Sequence, residues 1–267
     1  MLGAIIGDIV GSRYEFNNIK TKQFPLFSSR CFFTDDSVMT LAIAEAVMAC
    51  VGNYQDLSEK AVEYMQRIGR RYGDCGYGGR FFDWMFSKNP KPYGSYGNGA
   101  GMRVSSVAWA ARSLEECIEM SRAVTEVTHN HPEGIKGAEA IAVCTYLALH
   151  GAGKEEIRKY VNDHYYTLDF TLDGIRGTYR FNETCMDTIP QAIEAFLEAE
   201  DFEDAIRNAI SIGGDSDTLG ACTGAIAEAF FGIPEWIRDE AQQFLDRQLS
   251  DILIDFEDEF PPKITGR

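Results

Sequence analysis

The 267-residue chain is 45% hydrophobic and 25% charged, which is enough apolar material to bury the core of one large domain. Its 41 acidic residues outnumber its 25 basic residues and give a formal net charge of −16 at pH 7. This charge excludes nucleic acid as a partner bound mainly through its phosphates. A small phosphorylated ligand remains compatible with it, provided that cations and backbone N–H groups outweigh the repulsion locally.

The cysteines and the first residues indicate the cellular compartment of the protein. Seven cysteines are scattered singly, with no Cys-x-x-Cys pair, a pattern typical of reduced thiols rather than of a disulfide framework. The apolar run at the start has no basic segment before it, and Asp8 interrupts it well short of membrane-spanning length. We therefore expect a cytoplasmic protein with no membrane partner. The sequence carries no readable signal of oligomeric state.

Helical periodicity dominates the chain, because apolar residues recur at three- and four-residue intervals. The first helix carries Gly3, Gly7 and Gly11, which we interpret as a face for close helix packing. The later predicted helices span residues 38–50, 57–72, 102–112, 114–127, 134–150, 154–165, 188–198, 202–212, 219–231 and 235–249. No linker or shift in composition interrupts them, so we predict an all-α fold in a single domain over residues 1–267.

Two regions depart from the helical pattern. Residues 166–170 and 179–181 have the composition of a short extended pair. Residues 73–101 are rich in glycine and form the longest irregular stretch. Long ordered loops in compact domains are more often functional than not, so we expect this stretch to lie over a site.

Two acidic motifs stand directly before predicted helices. The first acidic motif, Thr34-Asp35-Asp36-Ser37, precedes the helix that begins at residue 38, and on its own it is typical of an N-cap. The second acidic motif, Asp215-Ser216-Asp217-Thr218, follows Gly213-Gly214, a pair that lets the backbone bend closely around a bound group. Two such motifs in one chain favour carboxylates that converge on one site from distant segments.

These oxygen ligands are typical of a site for hard divalent cations. Mg2+ and Mn2+ prefer carboxylate, hydroxyl and water oxygens, and a pair of cations requires several carboxylates from different segments. The candidate ligands are Asp35, Asp36, Asp215, Asp217 and, as a fifth carboxylate, Glu15, with Thr34 and Thr218 as neutral oxygen ligands. Without cations such a cluster could not stay fully ionised, because neighbouring carboxylates raise one another's pKa. An EF-hand loop and a zinc site are both excluded by spacing.

The chain resembles the ADP-ribosylglycohydrolase family in five places that follow one another in order. They are Gly7-Asp8 with Glu15, the first acidic motif, Ser95-Tyr96-Gly97-Asn98-Gly99, Thr128-His129, and Gly213-Gly214 with the second acidic motif. The likeness covers almost the whole chain. It implies a compact orthogonal multi-helix bundle with a central dinuclear cleft for Mg2+ or Mn2+. The implied reaction is hydrolysis of the glycosidic or ester bond that joins ADP-ribose to an acceptor, such as a modified protein side chain.

The resemblance also implies roles for individual residues around the cations. The residues that match the family's metal ligands are Thr34, Asp35, Asp36, Asp215, Asp217 and Thr218. Glu15 matches a glutamate that lies beside the metals. Cleavage at the anomeric carbon requires a positioned water and a protonated leaving group. Proton transfer is assigned to Glu15, Asp36 or Asp215, and the sequence does not separate them.

A second group of residues is implied to bind the substrate. The Gly loop, residues 95–101, would meet the diphosphate with backbone N–H groups, supported by the positive end of the helix predicted from residue 102, although an ordinary Gly/Asn turn is the alternative. Gly78 is a second candidate for phosphate contact. Tyr96 is expected to stack on adenine unless it is a core aromatic. His129 is expected near the phosphate and ribose.

Two other functions remain open at this point. A catalytically silent relative would bind ADP-ribose or serve a structural role, although the chain keeps every acidic ligand position. A two-metal phosphohydrolase would use the same carboxylates to activate water against phosphorus. The acceptor group and the choice between Mg2+ and Mn2+ are not encoded in any readable pattern.

Overall fold

The computed structural model describes residues 1–261, which form fifteen α-helices and a short 3-10 helix at Tyr54–Asp56. The α-helices are α1 (Leu2–Ser12), α2 (Asp35–Met48), α3 (Leu57–Gly69), α4 (Gly79–Phe86), α5 (Gly99–Met102), α6 (Ser105–Ala110), α7 (Leu114–Thr125), α8 (Pro132–Leu149), α9 (Lys154–His164), α10 (Leu172–Arg176), α11 (Cys185–Leu197), α12 (Phe202–Ser211), α13 (Ser216–Phe231), α14 (Glu235–Gln242) and α15 (Arg247–Glu259). Residues 262–267 of the predicted domain lie outside this part.

The all-α prediction is confirmed. Within residues 1–261 the one β-type pairing is an isolated bridge between Gly97 and Thr184. None of the helices in this range is long and apolar enough to cross a bilayer. The predicted cytoplasmic location stays a prediction.

Helix α13 is the central element of the bundle. Its residues from Ser216 to Ala229 are all buried, and it packs against α1, α8, α11 and α12. A helix that is surrounded by other helices is expected to be mostly apolar on every side. The site described below lies at its N-terminal end, so the bundle core directly supports that end.

Helices α1 and α13 lie antiparallel with their backbones in contact. A methyl group on Gly3 would overlap the carbonyl oxygen of Gly224, and one on Gly7 would overlap that of Gly220. Gly11 faces the backbone of Ser216 in the same way. The predicted role of these glycines in close packing is therefore confirmed. The contact brings the C-terminal end of α1 to the N-terminal end of α13.

The predicted extended pair is wrong. Helix α10 lies between the two segments and is capped by Thr171, whose side chain accepts from the backbone N–H of Gly174. The backbone N–H of Leu168 donates to the side chain of Asn162 at 2.7 Å. Local side-chain acceptors thus satisfy this backbone in place of a partner strand.

Most predicted helix ends differ from the structure by one to three residues, and three predicted segments differ more widely. The helix expected over residues 102–112 is broken at Arg103, whose side chain turns into the protein interior. The helix expected over 235–249 ends at Gln242, and Asp246 caps a new helix by accepting from Leu249 N at 3.0 Å. The irregular stretch 73–101 contains α4.

Gly7→Ala should destabilise the protein severely, because its methyl group would force α1 away from α13. Overpacking of this kind costs about 3 kcal/mol or more, which exceeds the gain of about 1 kcal/mol in helix propensity. Urea unfolding would measure the change. Gly177→Ala is the matched control, since Gly177 has an αR backbone and open space around its Cα. Equal stabilities of the two variants would contradict the proposed backbone contact.

Candidate functional site

The N-termini of α2 and α13 meet at the site. Thr34 caps α2, with its Oγ1 accepting from the backbone N–H of Asp36 at 3.2 Å. Thr218, in the first turn of α13, donates from its Oγ1 to Asp36 Oδ2 at 3.4 Å. The two acidic motifs, about 180 residues apart in sequence, are therefore in direct contact. The N-cap interpretation of the first motif is therefore correct for Thr34.

Gly213 and Gly214 turn the chain into the second acidic motif. Both have positive φ, +66° and +84°, and a side chain at Gly214 would overlap the ring of Tyr179. The side chain of Asn18 makes two hydrogen bonds to this turn. Its Nδ2 donates to Gly214 O at 2.8 Å, and its Oδ1 accepts from Gly214 N at 2.7 Å. The turn therefore requires glycine for its conformation and for lack of space.

The carboxylates form two groups that share one residue. Ligand oxygens of Asp8, Asp36 and Asp217 lie within 4.8 Å of one another, and so do those of Glu15, Asp215 and Asp217. Asp36 Oδ1 is buried and has no hydrogen-bond partner among the described residues. A buried carboxylate oxygen left without a donor is unfavourable unless a cation or a proton satisfies it. The donor set thus fits hard divalent cations held between the two groups.

Asp8 is a buried carboxylate that the sequence analysis quoted without assigning it a function. It lies at 0% exposure in the middle of α1 and accepts from Thr34 N at 2.9 Å and from Thr34 Oγ1 at 2.7 Å. Both the backbone N–H, at 3.0 Å, and the hydroxyl of Ser37 also donate to it. Asp8 thereby fixes the orientation of the first acidic motif. The signal that could have found it is an aspartate in a helix that is otherwise apolar.

Electrostatics in the site oppose full ionisation. Burial, together with the neighbouring carboxylates, raises the pKa values of Asp35, Asp36 and Asp217 well above their ordinary range. Burial and the charge of Asp215 raise the pKa of Glu15 to about 7, and burial raises that of Asp8 to about 6. Cations in the site would offset this repulsion and lower these pKa values.

A cavity of about 310 Å3 opens from the carboxylates toward the Gly loop. The predicted site residues that line it are Glu15, Asp35, Asp36, Gly78, Ser95, Gly97, Asn98, Gly99, His129, Asp215, Asp217 and Thr218. Thr34 lies behind Asp36, outside this lining. Tyr96 is also outside it; its ring is 45% exposed and meets His131 edge to face. The structure thus gathers most of the predicted residues around one cavity.

The Gly loop differs in detail from the expected phosphate cradle. The backbone N–H of Gly97 donates to Ser95 Oγ at 3.1 Å, and that of Asn98 donates to Glu183 O at 2.8 Å. The side chain of Asn98 donates to Asp215 Oδ2 at 2.7 Å, which links the loop to the second acidic motif. The helix expected from residue 102 begins at Gly99 and has only four residues, so its positive end is weak.

Positive charge in the cavity comes instead from two arginines that the sequence analysis missed. Arg80 and Arg103 both line it, and Arg103 is 1% exposed. Arg103 stands over the ring of Phe81, 5.5 Å from its centroid, and burial lowers its pKa to about 10, so it remains protonated at neutral pH. No sequence motif distinguishes these arginines from surface ones, because their placement depends on tertiary contacts.

Comparison with known proteins identifies the family. A model of the family described as ADP-ribosylglycohydrolase matches residues 1–262. The chain belongs to the ADP-ribosylglycohydrolase family. The predicted resemblance and the prediction of a hydrolytic enzyme of this family are therefore confirmed.

Three relatives place this ADP-ribosylglycohydrolase among proteins from distant organisms. ADP-ribosylarginine hydrolase Tri1 of Pseudomonas putida is 26% identical and covers 96% of this chain and 76% of its own length. Human ADP-ribosylhydrolase ARH3 and the ADP-ribosyl-[dinitrogen reductase] glycohydrolase of Rhodospirillum rubrum are each 24% identical, over 88% of this chain and 85% of their own. The names of the Pseudomonas and Rhodospirillum proteins specify arginine and dinitrogen reductase, respectively, as what carries the ADP-ribose.

A solved structure supports the fold of this ADP-ribosylglycohydrolase. The protein titled "ADP-ribosylglycohydrolase-related protein complex" superposes with a TM-score of 0.68 at 23% identity, covering 96% of this chain and 95% of its own. The predicted multi-helix bundle of this family is thus confirmed.

Thermal stability without cations should fall as pH rises from about 5 to about 8. The folded-state pKa values of the site carboxylates are raised, so the folded state holds protons that the unfolded chain releases. The stabilisation that these protons give to the folded state is therefore present at low pH. It is lost as the pH rises through the folded-state pKa, which is about 7 for Glu15. Saturating Mg2+ should restore about 3 kcal/mol at the upper pH and less at the lower.

Melting temperatures with chelator and with Mg2+ would measure this difference. Asp36→Asn should weaken both the pH dependence and the Mg2+ effect, whereas the exposed Asp169→Asn should change neither. A melting temperature that is insensitive to Mg2+ at every pH would contradict the cation site.

Proposed function

We propose that this protein hydrolyses the bond between ADP-ribose and an acceptor with the help of two divalent cations, Mg2+ or Mn2+. The observation that carries the proposal is the pair of carboxylate groups that share Asp217 and open onto one cavity. The buried, unpartnered Asp36 Oδ1 supports a cation at this place. Family membership supports ADP-ribose as the group transferred to water.

The proposed metal ligands come from the two acidic motifs. They are Thr34, Asp35, Asp36, Asp215, Asp217 and Thr218. Thr34 donates its hydroxyl proton to Asp8 and so keeps a lone pair of Oγ1 for a cation. Asn98 similarly holds one oxygen of Asp215 and leaves the other for a ligand. When bound, divalent cations at this site would polarise the substrate and acidify a water molecule.

The cavity suits ADP-ribose with its ribose against the carboxylates and its diphosphate toward the Gly loop. We assign substrate contacts to Gly78, Ser95, Tyr96, Gly97, Asn98, Gly99 and His129. Arg80 and Arg103 supply the positive charge that the diphosphate needs in a protein of net charge −16. The exposed ring of Tyr96 is free to stack on adenine at the edge of this cavity.

Proton transfer is best assigned to Glu15. Its side chain lines the cavity, is only half-buried, and has an oxygen within 4.8 Å of ligand oxygens of Asp215 and Asp217, so it lies beside the proposed metal ligands and faces the space for the substrate. Asp36 and Asp215 are the other candidates. Both are more deeply buried, and each contacts a neighbouring side chain through one oxygen, which suits them to holding cations.

The rim next to Glu15 favours a cationic acceptor. Glu183 lines the cavity, and Phe16 and Phe181, which lie next to Glu15 and close to Glu183 in sequence, stack with ring centroids 6.1 Å apart. Phe16 is 80% exposed although it is a large aromatic residue. Acidic and aromatic groups together attract a guanidinium. One relative is named an ADP-ribosylarginine hydrolase, which supports a modified arginine as the acceptor.

Asp217→Ala should lower ADP-ribose release at least about a hundredfold, because Asp217 belongs to both carboxylate groups. The assay would follow free ADP-ribose from ADP-ribosylarginine, ADP-ribosylserine and an acetyl ester, with Asp169→Asn as control. Wild type should act fastest on the arginine conjugate.

Two results would contradict the proposed function. Wild type that binds ADP-ribose but releases none from any conjugate would indicate a silent relative. Phosphate release from phosphomonoesters, with no ADP-ribose released, would indicate a phosphohydrolase.

Asp8→Asn should raise the Mg2+ concentration needed for half-maximal activity about 10- to 100-fold, as expected for a residue that orients a ligand. The amide would present N–H groups to Thr34 and Ser37, which already donate to this position. A Mg2+ titration of activity measures the shift. An unchanged half-maximal concentration would show that Asp8 does not orient the first acidic motif.

A further inference from the structure

The hydrogen bonds around His129 determine which of its ring nitrogens carries the proton. Arg103 Nη2 donates to Thr128 Oγ1 at 2.5 Å, and Thr128 Oγ1 lies 2.8 Å from His129 Nδ1. A guanidinium has no acceptor, so the Thr128 hydroxyl accepts from Arg103 and has its own proton to donate. His129 Nδ1 is its nearer acceptor, since Thr125 O is 3.4 Å away.

Arg103 also approaches His129 directly. Its Nη2 lies 3.4 Å from His129 Nδ1. Because a guanidinium nitrogen only donates, His129 Nδ1 must be the acceptor in this contact. Both neighbours of Nδ1 are therefore donors. The proton of a neutral imidazole must then be on Nε2.

His129 Nε2 faces the cavity beside the Gly loop. A side chain built on Gly97 or Gly99 would come within 3.5 or 3.7 Å of it. Among residues 1–261, no hydrogen-bond acceptor is placed on Nε2. His129 is otherwise buried, at 5% exposure. A fixed N–H donor that faces a cavity from an otherwise buried side chain is a site for an acceptor oxygen of the bound molecule.

The charges around His129 keep it neutral. Burial, then Arg103, then Arg80 lower its pKa well below the ordinary value. The other group facing it is the ring of Tyr93, 6.1 Å away between centroids, while Glu183 lines another part of the cavity. A second positive charge next to Arg103 would be unfavourable, whereas a neutral N–H donor is not.

We propose that Arg103, acting through Thr128, holds His129 as the Nε2–H tautomer and thereby aims a donor at a diphosphate oxygen of the ADP-ribose group. The ligand half of this inference rests on the proposed function. Arg103 is a positioning residue in this arrangement. Its consequence is a donor that does not titrate near neutrality, so His129 itself adds no pH dependence to the affinity for the diphosphate.

Nitrogen NMR of the full chain labelled with 15N-histidine tests the tautomer without any ligand. The chain has four histidines, and His129→Gln identifies the His129 signals by their loss. Long-range 1H–15N correlations should show Nε2 protonated and Nδ1 unprotonated from about pH 6 to about pH 8. A His129 protonated on Nδ1, or one that titrates in this range, would overturn the inference.

Calorimetry with ADP-ribose tests the consequence for binding. Thr128→Val should lose the donor to Nδ1, mix the two tautomers and weaken binding about tenfold, whereas Thr128→Ser should behave as wild type. Compared with wild type, Arg103→Met should bind more tightly as pH falls, because the loss of the Arg103 charge makes protonation of His129 easier. Arg103→Lys should return the pH profile toward that of wild type. The Thr128 pair keeps the test valid if Arg103→Met fails to fold.

The outcomes separate the inference from the proposed function. If Thr128→Val binds ADP-ribose as well as wild type does and its His129 tautomer is unchanged, only the positioning role is contradicted. Wild type that has the Nε2–H tautomer but does not bind ADP-ribose contradicts the ligand assignment and, with it, the proposed function.

Discussion

The backbone contact between α1 and α13 is the constraint on which the site depends. Because glycines face carbonyl groups along this contact, the two helices approach more closely than side chains would permit. The antiparallel arrangement then places Asp8 and Glu15 beside the second acidic motif, although about 200 residues separate them from it in the chain. Residues from both ends of the sequence thus share one small volume. A wider helix spacing would move the two carboxylate groups apart.

This arrangement concentrates negative charge inside a protein that is already acidic, and the interior balances it in two different ways. The carboxylates that share Asp217 need cations or protons, since burial raises their pKa values. The lining beside His129 instead carries Arg80 and Arg103, and that histidine is kept neutral. The cavity lining therefore carries both a negative and a positive part. A molecule with a hydroxyl-rich sugar at one end and a diphosphate at the other matches that polarity.

The parts predictable from sequence were those whose signals are local. The two acidic motifs combine cap residues, paired glycines and apolar helices within a few positions, and the close-packing glycines of α1 recur with helical spacing. Asp8 and Arg103 escaped functional assignment because their roles depend on Thr34 and Thr128, which only the fold brings to them. The same reason explains the helix break at Arg103, whose burial overrides the apolar periodicity around it.

The central claim is that the paired carboxylate groups hold two divalent cations, and anomalous diffraction from crystals grown with saturating Mn2+ tests it most directly. Two anomalous peaks are expected, one against Asp36 and one against Asp215, with Asp217 between them and with oxygen ligands at about 2 to 2.5 Å. Absence of both peaks, or peaks bound only outside this cavity, would contradict the account.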